Sequence, residues 1–358
     1  MAENVAGCSG GLSPRDMMTT AKTSGEPLFR VRGLTRQFAR PGHSETGQDL
    51  AAIEDVSLDI GRGEILGLVG ESGSGKTTLA RTALQLIRPD RGSVRLEGRE
   101  LVGLNQRALR SLRSRMQIIF QEPGAALSPR RTVAQTLAEP LQVFGIGTAG
   151  ERGGRMREAL RTVGLDEAAL ERFPYQFSSG QRQRIMIARA LICEPSLVVA
   201  DEIVSALDVS IQAQILQLIR GLQADRGIAF LFISHDLAVI QQLADRVAVM
   251  YAGRLIETAP ATDFFRQPAH PYARALLAAV PTLEPGARTP VGHGLPPLQP
   301  GPARNGCPYA NRCDRTQPVC RETFPEERRV SAAGRHLVKC HAYPAANGES
   351  EDEPDQNV

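Results

Sequence analysis

"ILGLVGESGSGKTTLARTAL", Ile65 to Leu84, decides how this chain is read. Its first five residues are continuously apolar, as in a parallel strand buried on both faces. A glycine loop follows at once and opens a helix. Gly70 to Thr77 fits G-x-x-x-x-G-K-[ST] with the strand before it and the helix after it, the context that gives the pattern meaning. Glycines let the backbone wrap closely enough for successive N–H groups to point at phosphate oxygens. The helix beginning near Lys76 adds its positive N-terminal end. Lys76 supplies a mobile charge for the outer phosphates, and the Thr77 hydroxyl can hold Mg²⁺. The candidate nucleotide-binding set is therefore Gly70, Glu71, Ser72, Gly73, Ser74, Gly75, Lys76, Thr77 and Thr78. A nucleoside triphosphate is the expected ligand.

A second buried strand, "SLVVAD", ends on Asp201 and is followed by Glu202. Asp201 at the strand tip is placed to hold Mg²⁺ through water. Glu202 could polarise an attacking water as general base, and two adjacent carboxylates at this edge favour hydrolysis over phosphoryl transfer. An Asp-Glu pair also starts ordinary turns; the phosphate loop is what argues against that here. "LFRVRGLTRQFAR", "IAFLFIS" and "RVAVMYAGRLIET" read as further strands, and two strands joined by a Gly-rich turn span "GQDLAAIEDVSLDIGRGEILGLVG". Residues 133–190 read as mostly helical and Arg-rich, with "GTAGERGGR" as an exposed turn. A helix from Val209 carries Ile211, Ile215, Leu218 and Leu222 on one face.

The 358 residues are 42% hydrophobic and 23% charged, as in an ordinary soluble protein. A net charge of +3 is too small to argue for nucleic acid. No apolar run approaches the roughly 18 residues a membrane helix needs. The first 27 residues lack an apolar signal core and read as a disordered tail. From Pro281 the chain turns Pro/Gly-rich, as a semi-rigid linker, and residues 346–358 form an acidic tail.

The order of the phosphate loop, "FQEP", "SSGQ", "LVVADE", "SALD" and "ISHD" resembles the ATP-binding subunit of an ABC transporter over about residues 28–260. The resemblance implies an α/β P-loop NTPase fold: a RecA-like core with a parallel sheet, an antiparallel β subdomain, and a helical signature subdomain at about 125–190. It implies that Ser178, Ser179, Gly180 and Gln181, at a helix start, contact the γ-phosphate of ATP held by an opposite subunit. Gln121 would reach Mg²⁺ and water and link the site to a membrane partner. His235 would hold the attacking water and join Glu202 and Gln121 in catalysis, and Asp208 would communicate across the dimer. Phe38 is the candidate platform for the adenine ring. Taken alone, each has a plainer reading: Gln121 a solvated loop residue, His235 a capping or core histidine, Asp208 an N-cap, Phe38 a core residue. Two departures from the family wording stand out. Ser179 replaces a glycine, with modest harm expected, and Ile203 replaces a proline, which is expected to loosen the turn carrying the base.

"HPYARALLAAVP" from His270, the Pro-rich linker and "GCPYANRC" resemble the tail of the peptide-importer branch, covering residues 261–345 as a small irregular extension. Nickel and other solute importers share that tail. Within the branch, "GLVGESGSGKTT" and "LFISHDLAVI" look most like the second, F-type ATPase. The resemblance implies a related but different ATPase as heterodimer partner, two membrane permeases and an extracytoplasmic solute-binding protein. It places the chain peripherally on the cytoplasmic face of the inner membrane, with no nucleic-acid partner. An ABC ATPase acting on nucleic acid or ribosomes is the rival reading, but the single phosphate loop and missing heptads argue against it. Cys307, Cys313, Cys320 and Cys340 are spaced as C-x₅-C-x₆-C-x₁₉-C. An iron–sulfur cluster, zinc, or four reduced thiols in a packed cap are all open on spacing. Some members of the resembled branch carry a [4Fe–4S] cluster there, which makes that the first expectation. Cys8 reads as a tail residue and Cys193 as a buried small hydrophobe.

Overall fold

Strands that are apolar at every position need a core on each face, and the central strands here have two. A computed structural model describes residues 26–38, 50–121, 127–279, 305–330 and 335–344. Nearly all of the expected N-terminal tail and Pro-rich linker, all of the acidic tail, and Cys8 lie outside the described residues. Strands β1 (Phe29–Phe38), β2 (Leu50–Ile60), β4 (Arg91–Leu96) and β5 (Arg99–Glu100) form an antiparallel sheet in the order β2-β1-β4-β5. The second sheet holds β3 (Ile65–Val69), β6 (Met116–Ile119), β7 (Leu197–Asp201), β8 (Ala229–Ile233), β9 (Arg246–Tyr251), β10 (Arg254–Pro260), β11 (Arg328–Arg329) and β12 (Leu337–Val338). Its order is β11-β12-β10-β9-β3-β8-β7-β6, parallel from β9 to β6 and antiparallel beyond β9.

Alternation along each parallel strand divides its side chains between the two cores. Leu66, Leu68, Val199, Leu231 and Ile233 pack with the antiparallel sheet, α1 (Lys76–Ala83) and α2 (Gln106–Arg113). Ile65, Val69, Val198, Phe230 and Phe232 pack on the other side with the helices of the chain's middle. Those helices are α3 (Val133–Phe144), α4 (Ala149–Thr162), α5 (Ser179–Leu191), α6 (Val209–Arg226) and α7 (Leu237–Leu243). In α6, Ile215 and Leu222 are buried, on the apolar face read from the sequence.

Two expectations need correction. "GTAGERGGR" is not an exposed turn: its last seven residues begin α4. Gly150, Gly153 and Gly154 each cost about 1 kcal/mol in a helix. Against that, the Thr148 amide and hydroxyl both donate to the Glu151 carboxylate, fixing the helix start. Ala159 and Leu160 then bury the far end of the helix. Nor is the C-terminal extension wholly irregular. β12 pairs with β10 through Glu257↔Val338 and Thr258↔Leu337, and so extends the main sheet.

One buried carboxylate fastens this extension. Glu257 accepts the Ala269 and His270 amides at 2.8 and 2.6 Å, and its Oε1 lies 2.8 Å from His336 Nε2. α8 (Ala261–Arg266) leads to His270, the N-cap of α9 (Pro271–Ala278); its Nδ1 accepts the Tyr272 amide at 3.0 Å. Burial first, and Arg274 second, lower the His270 pKa to about 3 from an ordinary 6.5. Between these values the unfolded chain binds a proton that the folded chain refuses, so stability is present above pH 6.5 and lost as pH falls. The slope is at most about 1.4 kcal/mol per pH unit. Denaturant unfolding at pH 7 and pH 5 should therefore show a loss of about 2 kcal/mol from this group. His270→Asn keeps a capping oxygen without a titrating ring, and should show a clearly shallower pH dependence.

Candidate nucleotide-binding active site

The register of the parallel strands brings distant loops to one edge. Ile233 of β8 lies opposite both Leu68 of β3 and Asp201 of β7, so the three C-terminal strand ends are level. Ligands of open α/β sheets bind at that edge. The phosphate loop leaves β3 through Gly70 and enters α1 at Lys76. Gly75 has φ +101°, and a Cβ on it would lie 2.4 Å from the Ala52 carbonyl oxygen, so only glycine fits. Lys76 is buried, and its Nζ donates to the Gly70 carbonyl at 2.8 Å, the Glu71 carbonyl at 2.9 Å and Ser74 Oγ at 3.4 Å. Burial lowers its pKa, while Glu202, Asp201 and Glu71 act in the opposite direction. Ser72 and Gly73 are exposed at the loop tip, and Thr77 and Thr78 are half-buried in the first turn of α1.

Thr77 Oγ1 donates to Asp201 Oδ1 at 3.3 Å. Asp201 is buried, and burial raises its pKa above the ordinary carboxylate value. A hydroxyl beside a carboxylate is an oxygen-only donor set, which suits Mg²⁺, and a divalent cation there would favour the ionised carboxylate. The fit is good.

Glu202 joins the three sequence-predicted catalytic residues. Its Oε2 accepts from Gln121 Nε2 at 3.0 Å and its Oε1 lies 3.3 Å from His235 Nδ1. Gln121, Glu202 and His235 follow β6, β7 and β8, so sheet order alone makes them neighbours. Glu202 has φ +51° and donates its amide to the Ile233 carbonyl at 3.0 Å. The turn after it carries Ile203. That side chain is buried in the core with Val204, and the Ser205 amide and hydroxyl both donate to the Glu202 carbonyl, at 3.3 and 2.9 Å.

Of the plainer readings, two fail on exposure, while the one for Asp208 holds in position. The His235 side chain is 58% exposed, so it is no core histidine. Asp208 stands at the N-cap of α6, but its side chain makes no capping hydrogen bond. Phe38 is 41% exposed with the Arg36 guanidinium 5.0 Å from its ring centre, so it is not a core residue. Ser178 caps α5 in a reciprocal box with Gln181: each backbone amide donates to the other's side chain, at 3.1 and 3.3 Å. Ser178, Ser179 and Gln181 are exposed, whereas Gly180 is buried; a Cβ on it would meet Ile211 at 2.5 Å.

All four C-terminal cysteines line one small pocket, together with His270 and His341. Burial pushes the Cys307 thiol up to about 12 and raises those of Cys313 and Cys340. Among the described residues no three or more His, Cys, Asp or Glu side chains are grouped so as to hold a metal ion. Cys193 is buried elsewhere in the core, with its thiol raised to about 11. Sequence reasoning missed Tyr272 and Arg312, which reach the phosphate loop from the C-terminal segments.

Residues 53–205 match the ABC transporter family, and residues 256–320 match the oligopeptide/dipeptide transporter C-terminal region. A Brucella ovis protein, named as an ATP-binding protein of peptide import, is 48% identical over 316 residues, which cover 88% of this chain and 97% of that protein. A similarly named protein of Brucella abortus is 44% identical, covering 90% of this chain and 96% of its own length. Among solved structures, the dimeric ATP-binding cassette MJ0796 bound to ADP and Pi aligns with TM-score 0.59 at 27% identity, covering 65% of this chain and 99% of that one. Clostridium perfringens cbiO1, part of the transporter complex cbiONQ, has the same fold, with TM-score 0.60 at 24% identity over 68% of this chain and 92% of that one. The chain belongs to the ATP-binding subunits of ABC transporters, ATPases by family, in the group that carries the oligopeptide/dipeptide transporter C-terminal region.

Proposed function

We propose that this chain hydrolyses ATP to power the import of peptides or related small solutes across a membrane. The observation that carries the reading is the Glu202 carboxylate, held between Gln121 and His235 beside the Thr77–Asp201 pair and the phosphate loop. In this reading Lys76 and the loop amides hold the outer phosphates, and Thr77 and Asp201 hold Mg²⁺. Bound Mg²⁺ supplies charge neutralisation at the phosphate oxygens. Glu202 takes the proton of the attacking water, His235 holds that water in place, and Gln121 reports the state of the site outward. Phe38 stacks on the adenine, and Asp208 faces the other subunit.

The assembly follows the same logic. By the family resemblance, Ser178 to Gln181 at the start of α5 serve an ATP on the partner's phosphate loop. The partner is a second, related ATPase, with this chain in the F-type role. Membrane permeases and an extracytoplasmic binding protein complete the importer, with this chain on the cytoplasmic face of the inner membrane. Among the described residues no helix is long and apolar enough to cross a membrane. Peptide specificity rests on the matched C-terminal region and on the names of the relatives.

Glu202→Gln in the assembled complex should lower ATP turnover by about 10²–10⁴-fold, as for loss of a general base, with ATP binding retained. Turnover equal to wild type would remove Glu202 from that role. For the cysteine pocket, the reading is a [4Fe–4S] cluster on Cys307, Cys313, Cys320 and Cys340. Four thiols line one cavity, and their spacing lacks the tight C-x₂₋₄-C pairs usual for zinc. Protein purified without oxygen should contain iron and acid-labile sulfide in equal amounts, lost together in Cys313→Ser. Zinc, or neither element, would refute the cluster.

A further inference from the structure

Arg312 closes the short 3₁₀ turn Ala310–Arg312, next to Cys313, and lies 241 residues from the phosphate loop in sequence. Its guanidinium nevertheless grips the carboxylate of Glu71, the residue after Gly70, with Nη1 and Nη2 at 3.2 and 3.1 Å from the two oxygens. Nη1 also donates to the Tyr251 hydroxyl at 3.1 Å, and the arginine side chain is only 9% exposed. A second reach comes from α9: the Glu71 amide donates to the Tyr272 hydroxyl at 2.8 Å. The Glu71 carbonyl accepts from Lys76 Nζ at 2.9 Å and from the Ser74 amide at 3.1 Å. Amide, carbonyl and carboxylate of one loop residue are thus all engaged, two of them by C-terminal segments. The rings of Tyr251, Tyr272 and Tyr309 pack with centres 4.5–5.5 Å apart and brace both contacts.

We propose that Arg312 and Tyr272 are positioning residues for the phosphate loop, so that the C-terminal segments complete the ATP-binding half-site. The inference rests on the nucleotide reading of that loop and not on what the cysteine pocket holds. Electrostatics give the reason. Glu71 lies close enough to act on the Lys76 ammonium, which meets the phosphates. Left unpaired, its carboxylate would repel a polyphosphate and be free to move; a bidentate arginine cancels the charge and fixes the side chain. Neither residue touches reacting atoms, so the effect should fall on KM for ATP, with kcat nearly unchanged.

The test is MgATP affinity of the full-length protein, measured with a fluorescent ATP analogue alongside thermal melting. Arg312→Ala should bind about tenfold more weakly, as expected for losing a partly exposed charge-assisted pair. Tyr272→Phe, which keeps the packing, should lose about threefold. Adding Glu71→Gln to Arg312→Ala removes the unpaired charge and should restore affinity to within about threefold of Glu71→Gln alone. A merely structural arginine would not show that rescue. Arg312→Ala binding within twofold of wild type, or weakening that Glu71→Gln leaves unchanged, would overturn the proposal. Lys76→Ala separates the two levels: if it bound ATP normally, the nucleotide reading itself would fall.

Discussion

A buried ammonium is costly, and the C-terminal edge of the parallel sheet is arranged around one. Lys76 is 6% exposed; burial lowers its pKa, while loop carbonyls accept hydrogen bonds from its Nζ and Glu202, Asp201 and Glu71 favour the cation. Glu71 shares the loop with Lys76, but Asp201 and Glu202 are near only because β7 runs parallel to β8, and β8 to β3, with their ends level. The parallel sheet in turn requires apolar residues on both faces of each strand, which is the pattern of "ILGLV" and "LVVA". The chain of dependence runs from strand composition to sheet direction to strand-tip register, and only then to a cation beside two carboxylates.

Glu202 shows the same economy. Three consecutive positions in the sheet end in loops carrying Gln121, Glu202 and His235, and the two neighbours both reach the central carboxylate. Its positive φ is held by a hydrogen bond to Ile233 and by the Ser205 contacts behind it. Burial of Ile203 and Val204 adds an apolar anchor directly under that turn. A residue that sits where the family wording has proline thus anchors the turn carrying Glu202 by packing, where proline would act by restricting the backbone.

What was legible in the sequence follows the range of the physics. The phosphate loop could be read whole, because strand, turn and helix start all lie within twenty residues. Asp201 and Glu202 could be placed because a strand tip is recognisable locally. Gln121 and His235 stand out only through the order of six segments, since neither carries a local signal. The start of α4 is hard to read because three glycines lie within it, and its support is the Thr148–Glu151 cap and the buried face at Ala159 and Leu160. The two-residue strands β11 and β12 have no periodicity to detect. Arg312 and Glu71 pair across 241 residues and Glu257 and His336 across 79, and nothing in either stretch announces its partner.

Glu257 ties the C-terminal segments to the sheet. Its side chain is fully buried, so its carboxylate oxygens must find donors inside the protein. Two are the amides that open α9, and the third partner is His336 just before β12. Peeling β12 away would strand a buried carboxylate and would also expose the edge of β10, whose backbone groups pair with it at Glu257 and Thr258. The same α9 that Glu257 secures carries Tyr272 to the phosphate loop, and the Tyr309 ring on the next segment packs against Tyr272 and His270. Docking the C-terminal segments and shaping the nucleotide loop are therefore one packing problem, solved by a single group of buried polar and aromatic side chains.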